Sequence, residues 1–162
     1  MAYVGLGGNV DDPRVRMRRA LAAMADLPAT RVAGVSSLYR SRPHGPQDQP
    51  EYLNAVAALE TALPAEALLE ALQAIERDAG RRRDGPRWGP RTLDLDLLVY
   101  GTLRLDRPGL TLPHPRIAER AFVLAPLAEL APELEIPGLG PVAALLQACR
   151  DDSLLAREAA AP

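Results

Sequence analysis

Lysine is absent from this chain of 162 residues, and all 19 of its basic side chains are arginine. Without lysine there is no Schiff-base chemistry, and no phosphate loop of the type that ends in Gly-Lys-Ser or Gly-Lys-Thr. Phosphate, if the protein handles it, must be met by arginine, whose planar fork suits paired oxygens and keeps its proton. One cysteine, Cys149, excludes an intramolecular disulfide and is consistent with a reducing compartment. Its setting, VAALLQACR, has a helical apolar pattern that fits a buried thiol better than a nucleophile. Aromatics are few and scattered, at Tyr3, Tyr39, Tyr52, Trp88, Tyr100 and Phe122. A sheet that stacks RNA bases needs several of them together. No apolar run approaches the about 20 residues of a membrane span. The opening MAYVGLGGNVDD lacks the basic region of a signal peptide and soon reaches acids, so a cytoplasmic protein is expected. A net charge of −2 argues against general binding to nucleic acid or membrane surfaces, which makes the arginines a local feature.

What is present suits one globular domain spanning 1–162, with 48% hydrophobic and 25% charged residues and a frayed tail from about 150. A chain of this length buries about 70% of its unfolded surface. AYVGLGG reads as a strand. Asp12 and Pro13 then give an N-cap and a first-turn proline, and Met17, Ala20, Leu21 and Met24 recur at helical spacing. RVAGVSSLY reads as a second strand, RSRPHGPQDQPE as a long proline loop, and YLNAVAALET as a third strand. Pro64 opens a helix with Leu68, Leu69, Leu72 and Ile75 on its apolar face, closed by Gly80. After an arginine-rich loop comes the strand TLDLDLLVY, then a hairpin in GTLRLDRPGL and short helices around 117–130 and 140–149. The order β-α-β-β-α-β predicts an α+β, ferredoxin-like split βαβ fold: an antiparallel sheet with helices on one face, plus C-terminal additions.

The stretch 81–96, RRRDGPRWGPRTLDLD, carries the chemistry. Asp94 and Asp96 are two apart on a strand, so both leave the same face with Cα atoms about 6.5–7 Å apart, while Leu93, Leu95 and Leu97 face the core. Such a pair can share two divalent ions, and oxygen ligands suit Mg²⁺. Alternating Asp and Leu also describes any half-exposed strand. Arg81, Arg82, Arg83, Arg87 and Arg91 crowd the preceding segment, which Gly80, Gly85 and Gly89 can hinge. So much like charge needs an anion or neighbouring acids. A metal–polyphosphate complex answers both the cations and the carboxylates; a structural salt-bridge loop through Asp84, Asp94 and Asp96 is the alternative. Trp88 is an odd core anchor in so polar a loop. Tyr52 and Asn54, again two apart, offer a flat heterocycle an aromatic platform and an amide, or are simply a half-exposed tyrosine with a polar neighbour. His114 can contact phosphate or be incidental, and His44 has less support.

GPQDQPEYLNA, GRRRDGPRWGPRTLDLDLLVYG and LTLPHPRIAERAFVLAPLAELAPEL together resemble the 6-hydroxymethyl-7,8-dihydropterin pyrophosphokinases of folate biosynthesis, in the right order and over nearly the whole chain. The resemblance implies transfer of the β,γ-pyrophosphoryl group of the co-substrate ATP to the pterin hydroxymethyl oxygen, releasing AMP. It implies two Mg²⁺ ions held by Asp94 and Asp96, with Arg81 and Arg91 assisting transfer. Arg83 and Arg87 match nucleotide-binding positions in the same mobile lid, and Trp88 a residue that closes over the pterin. Tyr52 and Phe122 match the aromatics that sandwich the pterin, Asn54 the amide at its ring edge, and Ser41 and Pro43 the proline-loop contacts. Leu69, Gln73, Glu76, Leu97 and Thr111 match positions around the nucleotide; His114 matches one near its phosphates, and Arg120 belongs to the same set. A monomer without nucleic-acid or membrane partners is expected.

The chain departs from the family pattern at Arg42, His44, Asp84 and Pro115, which touches phosphate affinity and loop closure rather than reaction type. Two rival readings are an RNA-binding module of the same topology, disfavoured by the aromatics and charge, and a nucleotide-binding regulator without catalysis. Arg81, Arg91, Asp94 and Asp96 together argue against the second.

Overall fold

A computed structural model describes residues 1–43, 45, 48–80, 92–158 and 160–162. The first strand, β1 (Ala2–Gly8), leads to α1 (Pro13–Ala25), β2 (Thr30–Val35), β3 (Tyr39–Ser41), β4 (Tyr52–Thr61), α2 (Ala65–Asp78) and β5 (Asp94–Tyr100). A hairpin of β6 (Leu105–Arg107) and β7 (Leu110–Leu112) precedes a 3-10 turn (Ile117–Glu119) and α3 (Ala121–Leu130). Two short strands, β8 (Glu135–Ile136) and β9 (Gly140–Pro141), then α4 (Val142–Ala148) and β10 (Leu154–Arg157), complete the chain.

Six strands form one antiparallel sheet in the order β10–β3–β4–β1–β5, with β2 also on β4. With β2 and β3 taken as one interrupted strand, this is the arrangement of the expected ferredoxin-like split βαβ unit. Both of its helices cover one face. Met17, Ala20 and Met24 of α1 and Leu68 and Leu72 of α2 pack on Val4, Leu6, Ala55, Ala57, Leu59, Leu95 and Leu97. Small side chains in β4 let the helices approach, and Gly80, at φ +87°, turns the chain out of α2.

The opposite face changes character along its length. Ala58 of β4, Tyr3 of β1 and Val99 of β5 lie abreast, and α3 covers that end with Val123, Leu124 and Leu127. Two steps along, the row reads Val56, Gly5 and Asp96; at the far end it reads Asn54, Gly7 and Asp94. An apolar patch thus gives way to bare backbone flanked by an amide and two carboxylates. The C-terminal additions bury the first end and leave the second as a cleft.

Four local expectations differ from the structure. The strand predicted over RVAGVSSLY is broken at 36–38. Ser36 keeps its N–H on Val56 O at 2.9 Å, but its Oγ takes the Val56 amide at 2.9 Å, and the backbone and hydroxyl of Ser37 both donate to Glu129, so side chains replace part of the ladder there. Part of the tail expected to fray is paired: β10 lies on β3, Glu158 N donates to Leu38 O at 2.7 Å, and Arg14 pairs with Glu158. Asp12 occupies the N-cap position of α1 at φ 60° but makes no side-chain cap, so Pro13 alone serves the first turn. Cys149 is half-buried just beyond α4 rather than deep in the core, because the helix ends before it.

Candidate active site

Two adjoining cavities occupy the cleft. The first, about 350 Å³, is lined by Ser41, Tyr52, Asn54, Asp94, Asp96, His114, Arg120 and Phe122, with Gly5 and Gly7 contributing bare strand beside the aspartates. The second, about 340 Å³, lies between α2, β5 and the β6–β7 hairpin, lined by Leu69, Gln73, Glu76, Leu97 and Thr111. Asp96, His114 and Pro115 belong to both. Ser41, Tyr52, Asn54 and Phe122, expected around a heterocycle, line the first cavity; Leu69, Gln73, Glu76, Leu97 and Thr111, expected around a nucleotide, line the second, whereas Arg120, expected with the nucleotide set, lines the first, and the two chambers meet at Asp96 and His114.

Each wall has a local cause. Asn54 is buried; its Nδ2 donates to Ser41 Oγ at 2.9 Å and to Tyr39 O at 3.2 Å. With the amide's donors used inside the protein, its oxygen turns towards Gly7, where a Cβ would sit 3.5 Å away. Glu76 is also buried, and its Oε2 accepts the Leu95 amide at 2.8 Å. That bond fixes α2 to the outer edge of β5 at the residue between the two aspartates. Phe122 sits in the first turn of α3, with the Arg120 guanidinium 5.8 Å from its ring centre.

His114 is held by its backbone N–H on Leu98 O at 2.8 Å, while its Nδ1 accepts the Arg116 amide at 3.2 Å. Burial pushes the imidazole below its usual range; Asp96 opposes this, and Arg120 and Arg116 add to it. A neutral ring whose Nδ1 accepts carries its proton on Nε2, as a donor. Burial also lowers the Arg120 pKa, against the attraction of Asp96, yet a guanidinium stays charged. The first cavity, where it meets the second, thus presents a fixed cation and a neutral donor beside the carboxylates, a set suited to phosphate oxygens.

Asp94 and Asp96 fit a magnesium-type site. Among the described residues no cluster of three or more His, Cys, Asp or Glu side chains can hold a metal ion. Two carboxylates alone suit a cation that completes its shell with phosphate oxygens and water.

Pro43 is buried and lines neither cavity. Arg81, Arg83, Arg87, Trp88 and Arg91, with Arg82, Asp84 and His44, lie outside the described residues. Sequence reasoning missed Gly5, Gly7 and Arg116, and treated Arg42 and Pro115, which also line the first cavity, only as departures. Glycines alternating inside a strand signal a close backbone approach, and that cue was present in AYVGLGG.

The pattern of the 7,8-dihydro-6-hydroxymethylpterin-pyrophosphokinase family matches residues 3–132. The chain is 54% identical over 147 residues to the 2-amino-4-hydroxy-6-hydroxymethyldihydropteridine pyrophosphokinase of Pseudomonas aeruginosa, covering 91% of this chain and 90% of that one. It is 43% identical to the Haemophilus influenzae protein of the same name, covering 95% and 96%. Among solved structures, Plasmodium falciparum HPPK-DHPS with pteroate superposes with a TM-score of 0.68 at 13% identity, a likeness of fold alone. That match covers 90% of this chain and spans only 41% of the Plasmodium chain. Among the described residues no helix is long and apolar enough to cross a membrane.

Proposed function

The chain belongs to the 7,8-dihydro-6-hydroxymethylpterin-pyrophosphokinase family, an ATP-dependent transferase family of folate biosynthesis, and from that premise we propose how its cleft performs the reaction. The protein transfers the pyrophosphoryl group of ATP to the hydroxymethyl group of 6-hydroxymethyl-7,8-dihydropterin. The pterin occupies the first cavity between Tyr52 and Phe122, with Asn54 Oδ1 facing its ring edge and Ser41 holding that amide in place. The nucleotide occupies the second cavity against Leu69, Gln73, Glu76, Leu97 and Thr111. One observation supports this division above others: the two chambers share Asp96 and His114, so a chain of phosphates entering from one reaches a hydroxyl in the other.

In the reaction the hydroxymethyl oxygen attacks the β-phosphorus and gives up its proton to water, the bond from that phosphorus to the oxygen bridging the α-phosphate breaks, and AMP leaves with that oxygen. The protein's part is to position and to offset charge. Arg120 and His114 Nε2–H face the phosphate oxygens, and Asp94 and Asp96 are the carboxylates that would hold two Mg²⁺ ions. Bound there, magnesium would neutralise phosphate charge and lower the pKa of the attacking hydroxyl. Arg81 and Arg91 assist transfer, and Arg83, Arg87 and Trp88 close over the ligands, as the resemblance implies. Pro43 acts through the backbone of the loop beside Ser41. We further propose a cytoplasmic monomer that acts on small molecules.

The test is incubation with ATP, Mg²⁺ and the dihydropterin, followed by separation of AMP from ADP. Pterin-dependent AMP and a pterin diphosphate are expected; ADP would mean that a single phosphoryl group moves and would overturn the reading.

A further inference from the structure

The C-terminal segment that follows α4 touches both walls of the first cavity without lining it. Asp151 Oδ2 accepts the amide of Ala121, the residue between Arg120 and Phe122, at 3.0 Å. Its Oδ1 accepts the amide of Ser153 at 2.9 Å. Ser153 is buried, and its carbonyl accepts the Arg42 amide at 2.8 Å. The next residue, Leu154, pairs with Ser41 in the β10–β3 ladder. Arg42 also reaches across to the Asp152 carbonyl at 2.7 Å and its carboxylate at 3.0 Å.

These contacts form a chain from one wall to the other. From Phe122 the connection passes through the Ala121 amide to the Asp151 carboxylate, then through Ser153 to Ser41 and Arg42, and by Ser41 Oγ to Asn54. The aromatic wall on α3 and the polar wall on β3 and β4 are joined by one side chain that uses both of its oxygens. We propose that Asp151 is a positioning residue for the pterin, setting the distance between Phe122 and the Ser41–Asn54 wall. The proposal rests on the assignment of the pterin to this cavity. Asp151 lies beyond the matched residues 3–132, so the family pattern gives it no role.

The chemistry needs a carboxylate. Oδ2 holds the amide of Ala121 from α3 and Oδ1 the amide of Ser153 two residues on, whereas an asparagine offers one oxygen and turns an N–H at the other. The wall it holds carries Phe122 against the pterin, and the purine and ribose side of the nucleotide lies in the other cavity, so its loss should weaken the pterin far more than the nucleotide.

The experiment uses full-length protein and two probes measured separately: 6-hydroxymethylpterin, followed by its fluorescence, and α,β-methylene ATP with Mg²⁺, followed by calorimetry. Asp151→Ala should raise the pterin dissociation constant roughly tenfold, the loss expected when buried amides lose their acceptor. Nucleotide affinity should stay within about twofold, and Asp151→Asn should lie between wild type and Asp151→Ala. Unchanged pterin affinity would overturn the proposal, and so would parallel weakening of both probes, which marks a merely structural role. If thermal melts find Asp151→Ala unfolded, Asp151→Asn carries the same test. Tyr52→Ala provides the separate check: pterin affinity insensitive to that change removes the cavity assignment itself, whatever Asp151 does.

Discussion

Gly7 is the cross-strand partner of Asp94, so a carboxylate of the first cavity has bare backbone beside it rather than a side chain. On its other side Gly7 pairs with Asn54, and two residues away Gly5 separates Asp96 from Val56. The two glycines keep the floor between amide and carboxylates low enough for a flat ligand.

Gly7→Ala tests that floor. Its Cβ would lie 3.5 Å from Asn54 Oδ1, an ordinary contact, so the protein should fold with its melting temperature little changed. The added methyl projects into the space assigned to the pterin. KM for the pterin should rise about tenfold with KM for ATP unaffected, since a filled site forfeits close contacts. Steady-state kinetics with each substrate varied in turn checks this. Equal changes in both constants would show that the glycine serves the strand rather than the cleft.

Much of this site was legible in the sequence. The alternation in TLDLDLL placed Asp94 and Asp96 on one face and their leucines in the core, because strand geometry has period two whatever surrounds it. The helices around Met17 and Leu68 followed from spacing for the same local reason. The break at Ser36 and the strand β10 did not, because each depends on a partner far away in the chain. Ser36 bonds to Val56 and Ser37 to Glu129, while residues 154–157 become a strand only because β3 offers an edge. The capping carboxylate of α3 is likewise invisible locally: it comes from Asp151, thirty residues after Ala121.

Asp96 lines both chambers whereas Asp94 lines only the first. Asp96→Asn should therefore abolish Mg²⁺-dependent nucleotide binding and lower turnover at least about a hundredfold, because a neutral amide neither attracts the cation nor offsets its charge. Asp94→Asn should lower turnover while leaving measurable magnesium-dependent binding of ATP. Calorimetric titrations with and without Mg²⁺ separate the two, and normal binding by Asp96→Asn would remove the two-carboxylate site.

Buried Glu76 joins α2 to the edge of β5 through the Leu95 amide. Glu76→Gln keeps an acceptor there; Glu76→Leu removes it and leaves a buried N–H without its carboxylate, at a cost of about 1–3 kcal/mol. Urea unfolding should find the leucine variant destabilised by that amount and the glutamine variant close to wild type. Loss of nucleotide affinity in both variants with unchanged stability would show that Glu76 acts through ligand contact alone and that the joint to Leu95 carries no stability.

The joint between α3 and the broken strand titrates at both ends of the pH scale. Burial raises the Tyr39 hydroxyl, and its 2.6 Å bond to Glu129 adds to the effect, pushing it to about 12 from an ordinary 10.0. Burial would raise Glu129 too, but bonds from Tyr39 and Ser37 outweigh it and hold the carboxylate below its ordinary 4.5. A carboxylate with a depressed folded pKa contributes stability above its unfolded value and loses it as pH falls through the folded one. The stability difference between wild type and Glu129→Gln should therefore be flat from about pH 5 until tyrosine begins to titrate, and shrink progressively below 4.5. On the alkaline side the folded protein holds the Tyr39 proton longer than the unfolded chain does. Stability should thus fall as pH rises from 10.0 towards about 12. Tyr39→Phe should abolish the latest-titrating phenolate, read by tyrosinate absorbance, and a titration curve identical to wild type would show that the Tyr39–Glu129 bond does not hold that proton.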